Sequence, residues 1–245
     1  MKEEQIYGIH STLEALRAEQ NIEKIFLQKG LNSEAFKEIS TLAREQNIAV
    51  SYVPIQKLNR LSQENHQGCI AKISPITYQS LEEMVEQAFA KTKTPLFLIL
   101  DQITDVRNLG AIIRTAECTG VNGLILPSQG GAMINEQTVK TSSGAVFNLP
   151  IAKVNHIKDA LFFLDTYKVI KIAATEKAKQ SIYKVDLKQA SVIIMGSEGK
   201  GVNPSILKMV DHEAKLPLLG ETSSLNVSVA CGVFLYEALR QRLGD

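Results

Sequence analysis

The chain lacks an excess of charge of either sign: 27 Lys and Arg stand against 26 Asp and Glu, a formal net charge of +1. Proteins that hold nucleic acid by bulk electrostatics carry a basic surplus. Any affinity for nucleic acid must therefore come from local clustering, from two patches aligned in a dimer, or from polar and shape recognition. Cysteine is scarce as well. Cys69, Cys118 and Cys231 are odd in number, far apart and without histidines at metal-ligand spacing, so neither a disulfide framework nor a zinc site is indicated. They read as small core residues. His10, His66, His156 and His212 offer no acid-base pair and are assigned surface or structural roles. No run of about 18 apolar residues exists to span a bilayer, and the opening Met-Lys-Glu-Glu-Gln lacks the apolar core of a secretory signal. The expectation is a cytoplasmic protein with no membrane partner and no metal.

At 245 residues and 44% hydrophobic content, the chain can form one large or two modest domains with a substantial core. Residues 1–75 read as a small α/β unit. Its expected elements are a helix over 11–19, a strand over 24–27, a helix over 33–46, a strand over 48–53, a helix over 55–61 and a strand over 69–73. Ser33 is placed to cap the second of these helices, where Ala35, Phe36, Ile39, Leu42 and Ala43 recur at helical spacing. No aromatic platform for base stacking is evident there. Residues 76–94 read as a linker between Pro75 and Pro95 that contains a short amphipathic helix. From 95 to 245 apolar runs alternate with helical segments. The runs at 96–100, 123–126, 169–173 and 192–195 predict buried strands of a mostly parallel sheet with helices on both faces.

Three polar segments interrupt that pattern. Asp101-Gln-Ile-Thr-Asp-Val-Arg-Asn-Leu-Gly-Ala-Ile-Ile-Arg114 follows the first of these apolar strands, and Gly196-Ser-Glu-Gly-Lys-Gly201 follows the last. Ser223-Ser-Leu-Asn226 opens a helix that is nearly all apolar, with Val227, Ala230, Cys231, Phe234, Leu235 and Ala238 on one face and Val229 and Val233 widening it. Each has a plain structural explanation. Serine before a helix caps it, Asn108 can cap the helix carrying Arg114, and glycines after a strand make a tight turn. Glu198 can be a solvated loop carboxylate, and Leu216 and Leu225 ordinary core leucines. Asn203-Pro204 fits the cap and first position of a further helix. The glycine cluster is no G-x-G-x-x-G turn after a first strand, and Lys200 precedes Gly201 rather than Ser or Thr, so a P-loop is excluded.

In order and spacing these three segments resemble the signature motifs of the SpoU (TrmH) family of RNA ribose 2′-O-methyltransferases. The N-terminal Ile6-Tyr-Gly-Ile-His-Ser-Thr-Leu-Glu-Ala-Leu16 and His66-Gln-Gly68 resemble the branch acting on guanosine in 23S ribosomal RNA, so the likeness spans the chain. The resemblance implies an N-terminal RNA-binding domain and a C-terminal α/β domain tied in a deep trefoil knot, an exception to the usual absence of knots. It implies S-adenosyl-L-methionine as cofactor, held among loops contributing Ala174, Gly196, Leu216, Ser224 and Leu225. The implied catalytic set is Arg114, Asn108, Glu198, Ser224 and Asn226, the partner ribosomal RNA, and the working form a homodimer with Arg114 contributed across the subunit boundary. A guanidinium normally keeps its proton, so Arg114 fits a role in orienting phosphate and stabilising charge better than that of a literal base. The family usually has Pro where Val106 stands, a loss that removes no reacting group. The rival readings are a tRNA or other ribosomal RNA ribose methyltransferase of the same family, and a noncatalytic RNA-binding assembly factor.

Overall fold

Alternation of apolar and polar residues, broken by runs of unbroken aliphatic character, divides the chain into the two units seen in a computed structural model that describes residues 5–244. One unit comprises residues up to Thr77 together with Met133–Glu136, and the other comprises Tyr78–Ala132 and the chain from Gln137 onward. The first contains β1 (Gln5–Tyr7), α1 (Ile9–Arg17), β2 (Ile22–Gln28), α2 (Glu34–Glu45), β3 (Ala49–Val53), α3 (Ile55–Leu61) and β4 (Cys69–Ile73). Among the described residues its sheet runs β1-β4-β2-β3, with β2 and β3 parallel and the other pairs antiparallel. Leu16, Ile25, Leu27, Phe36, Ile39 and Ala71 form the core under α1 and α2. Phe26, Val53, Leu58 and Ile70 form a second, smaller core on which Ile55 and Leu61 of α3 pack. Ser33 caps α2 as expected, its hydroxyl accepting the Phe36 amide at 3.3 Å. The buried carboxylate of Glu23 accepts the Ile134 amide at 3.0 Å.

The second unit follows with α4 (Leu81–Lys91), β5 (Leu96–Leu100), α5 (Val106–Cys118), β6 (Gly123–Pro127), α6 (Glu136–Thr141), β7 (Ile151–Val154), α7 (Ile157–Thr166), β8 (Ile170–Ala174), β9 (Gln180–Ser181), β10 (Ser191–Met195), α8 (Pro204–Leu207), β11 (His212–Lys215) and α9 (Val227–Leu243). Among the described residues its strands form one sheet in the order β7-β6-β5-β10-β8-β11-β9, and every pairing is parallel. All five residues of β5 and of β10 are buried, as strands covered on both faces require. Phe97, Ile99, Val192 and Ile194 point to a core shared with α4, α7 and α8. The alternate residues point the other way, to the side where α5 and α9 pack together and α9 reaches β10.

The structure differs from the sequence reading in several places; Cys118, expected in the core, is exposed. Residues 76–94 are more than a linker, because Leu81, Met84, Val85 and Ala88 of α4 are buried in the core of the second unit. A capping box starts that helix, with Ser80 accepting the Glu83 amide and Glu83 reaching back to Ser80, a motif that stabilises a helix start by about 1 kcal/mol. β1, β7, β9 and β11 were not expected: none is longer than four residues, and β11 is largely polar. Finally, α9 is not buried all round. Val229 is 54% and Tyr236 55% exposed.

Candidate active site

Parallel strands deliver their following loops to one edge of a sheet, and a cleft forms beyond the carboxyl ends where neighbouring connections diverge. Here a cavity of about 480 Å³ opens there, bounded by the loops after β8, β10 and β11 and by the start of α9. Ala174, Gly196, Leu216, Ser224 and Leu225 all line it, as do Glu198 and Asn226. Phe234 of α9 and Met195 of β10, both buried, supply apolar wall.

The first polar residue of the site comes from α5. Asp105 is its cap, accepting the Arg107 amide at 2.6 Å and the Asn108 amide at 3.2 Å. Asn108 therefore lies in the first turn and does not cap the helix, so its side chain can bond elsewhere. Val106 is the first helical residue, the position where proline is tolerated for its fixed φ. With Asp105 supplying the cap, the helix begins there without it.

The second comes from the loop after β10. A Cβ on Gly196 would lie 2.0 Å from the Gly201 carbonyl carbon and 2.1 Å from the Val202 amide nitrogen, so only glycine lets the loop fold back on itself. Gly199 and Gly201 both have positive φ, and the Gly201 amide donates to the Ser197 carbonyl at 2.9 Å. The tight turn thus accounts for the glycines, and its tip presents Glu198. Asn203 and Pro204 take the expected cap and first positions of α8.

The third is Asn226. It, and not a serine, caps α9: its Oδ1 accepts the Ser228 amide at 2.9 Å and the Val229 amide at 3.4 Å. That bonding orients its Nδ2 outward, toward Asn108 Oδ1 at 3.0 Å and Glu198 Oε1 at 2.8 Å. Asn108 Nδ2 donates to the same Glu198 oxygen at 3.1 Å. Three side chains separated by 90 and 118 residues close a hydrogen-bonded triangle at the cavity mouth. Glu198 Oε2 takes no part in these bonds and stands available as an acceptor. Ser224 is exposed on the cavity wall.

Arg114 is not brought to this cavity. It lies on α5 six residues beyond Asn108, exposed and without a hydrogen bond or ion pair among the described residues. Two functional candidates escaped the sequence reading: Asp105, whose place before a helical stripe was a cap signal, and Thr175, buried in the loop after β8 and lining the cavity. Among the described residues no cluster of ligating side chains could hold a metal ion.

The geometry combines flat apolar walls, polar loop edges and a fixed carboxylate at the entrance. Its volume falls within the roughly 300–1,000 Å³ typical of small-molecule sites. Comparison with known proteins agrees with this architecture. Residues 95–236 match the SpoU rRNA Methylase family, and residues 5–79 match the RNA 2′-O ribose methyltransferase substrate-binding family. A Bacillus subtilis (strain 168) protein, YacO, described as a TrmH family tRNA/rRNA methyltransferase, is 30% identical over 237 residues, covering 97% of this chain and 95% of its own. A Staphylococcus aureus (strain MSSA476) protein of the same description is 33% identical over 243 residues, covering 99% and 98%. In fold, the chain is similar to the SpoU methyltransferase AviRb from Streptomyces viridochromogenes, solved with the cofactor AdoMet. That likeness has a TM-score of 0.64 at 21% identity over 99% of this chain and 92% of that one. With both family matches in chain order and a three-loop cleft at the sheet edge, the chain belongs to the SpoU rRNA methylase family of RNA methyltransferases.

Proposed function

We propose that this protein transfers a methyl group from S-adenosylmethionine to the ribose 2′-hydroxyl of a guanosine in 23S ribosomal RNA. The observation that carries the reading is the convergence of Asn108, Glu198 and Asn226 at the mouth of a cavity lined by Ala174, Gly196, Leu216, Ser224 and Leu225. The cavity fits the cofactor: Leu216 and Leu225 offer apolar contact to the faces of an adenine, and the loop backbones and Ser224 offer hydrogen bonds to its polar edges. When bound, the cofactor supplies an electrophilic methyl on a sulfonium.

The chain's own residues have the remaining tasks. A ribose hydroxyl is a weak nucleophile while it holds its proton, so it must be oriented and its proton accepted or its bond polarised. Glu198, held on one oxygen by Asn108 and Asn226, keeps its other oxygen for the substrate or for an arginine. Arg114 holds the substrate phosphate and stabilises developing negative charge. Since Arg114 stands off the cavity wall of its own chain, we assign it to the cavity of a second copy, in a homodimer. The open apolar side of α9, with exposed Val229 and Tyr236 and half-buried Val233, supplies a surface for that pairing. Residues 1–75 serve to hold RNA, the knotted topology of the family is carried over to residues 95–245, and the protein is placed in the cytoplasm.

The test is incubation with ribosomal RNA and labelled cofactor, followed by mapping of the modified nucleotide. Label is expected in one ribose of a 23S guanosine. Cofactor binding without ribose methylation would refute the reading, and label in tRNA would reassign the substrate within the family. Arg114→Ala is expected to lower the methylation rate by about 100-fold or more, the scale of removing one preorganised charge-stabilising group, with cofactor affinity unchanged. Full activity in that variant would remove the role.

A further inference from the structure

Asp101 is a buried carboxylate that the proposed methyl transfer leaves without a task. It follows β5 directly and is 4% exposed. Its amide donates to the Met195 carbonyl at 2.8 Å, which carries the pairing of β5 with β10 one residue past the strands. Its Oδ2 accepts the Asn203 amide at 2.7 Å. Burial pushes the Asp101 carboxyl up, and the Asn203 amide opposes this. Burying such a group is costly unless it is bonded, so the bond it makes is the place to look for its use.

Asn203 ends the loop that starts at Gly196, and its own side chain caps α8 by accepting the Ser205 amide at 2.9 Å. Between the two ends, the Gly201 amide bonded to the Ser197 carbonyl closes the loop into a ring. Two connections that leave neighbouring strands are therefore tied twice. Asp101 and Asn203 join them at the base, and Asn108 and Glu198 join them near the tip. Gly199 and Gly201, both at positive φ, offer little resistance to pivoting if the base is untied.

We propose that Asp101 is a positioning residue for methyl transfer: by holding Asn203 it sets the 196–203 loop at the height where Glu198 meets Asn108 and Asn226. The inference rests on the reading of Glu198 as part of the reacting site. It acts through that carboxylate and not on the substrate.

The test is a double-mutant cycle in the full-length protein, with Asp101→Ala, Glu198→Ala and the pair together, read as methylation rate on ribosomal RNA at saturating cofactor. Misplacement of a reacting group by about 1 Å can cost about 100-fold, so Asp101→Ala alone is expected to slow the reaction by roughly 10- to 100-fold. In the Glu198→Ala background it is expected to cost under about threefold, since the group it positions is gone. Asp101→Asn keeps an oxygen that can accept the Asn203 amide and is expected to restore most of the rate. Equal losses in both backgrounds, or an Asn variant as slow as the Ala variant, would overturn the proposal. A Glu198→Ala protein as active as wild type would instead overturn the reading of Glu198. Should Asp101→Ala not fold, Asp101→Ser is carried through the same cycle and the same outcomes decide.

Discussion

Asn226 serves two ends with one amide, and its two halves can be separated by substitution. The oxygen caps α9, while the nitrogen donates to Asn108 and Glu198. Asn226→Ser keeps a good cap, since serine and asparagine are nearly equivalent there, and removes the amide nitrogen that reaches Asn108 and Glu198. Asn226→Asp also keeps the cap but places a second carboxylate where the nitrogen now lies 2.8 Å from Glu198 Oε1. At that separation two like charges repel by about 1.5 kcal/mol with bulk-water screening and about 6 kcal/mol at an effective dielectric of 20. Both side chains are exposed, so the lower part of that range applies. That repulsion is relieved when the pair takes up one shared proton. The assay is methyl transfer by the two variants and the wild type from pH 8 down to pH 5. Asn226→Ser is expected to be slow by a constant factor relative to wild type. Asn226→Asp is expected to be slower still at pH 8 and to gain on Asn226→Ser as pH falls, because the shared proton restores an O–H donor between the carboxylates. Thermal unfolding of both is expected within a few degrees of wild type, the cap being intact. An Asn226→Asp protein that matches wild type at pH 8, or a ratio of the two variants that does not move with pH, would refute the hydrogen-bonded triangle as a working part of the site.

Two further outcomes are expected. Gly196→Ala drives a methyl group into the Gly201 and Val202 backbone, where no side chain can move aside; an overpacking cost of about 1–3 kcal/mol is expected as a lowered unfolding temperature and cofactor binding at least tenfold weaker by calorimetry, and wild-type affinity would contradict the description of the loop. Glu237, 5% exposed on α9, is held below the usual carboxylate range by Arg240 and Gln241. A depressed carboxylate adds stability above its unfolded pKa and loses it as pH falls through the folded value. Glu237→Gln is therefore expected to destabilise by about 1–2 kcal/mol at pH 7, measured by denaturant unfolding, with the difference shrinking below about pH 4.

Much of the fold can be read along the chain where burial is total or periodicity is clean. The aliphatic runs of β5, β6 and β10 leave no polar face for water, and α2 repeats its apolar residues at helical spacing behind a serine cap. Short strands escaped for the converse reason: His212-Glu-Ala-Lys215 is a strand because β8 offers it a parallel edge, and nothing in four mixed residues announces that. The helix starts show a similar limit. Asp105 and Asn226 are the caps while Asn108 is not, a choice made by one or two residues of chain geometry among neighbours of equal capping ability.

By itself the order of residues determined the class of the molecule, a parallel sheet wrapped by helices with polar segments at the ends of apolar strands, because hydrophobic periodicity and turn chemistry are local properties. Only the tertiary structure decided that Asn108, Glu198 and Asn226 share one carboxylate oxygen, that Arg114 stands apart from them, and that one side of α9 lies open. Those facts depend on how parallel strands far apart in sequence are set side by side, and neither spacing nor composition encodes a distance between loops.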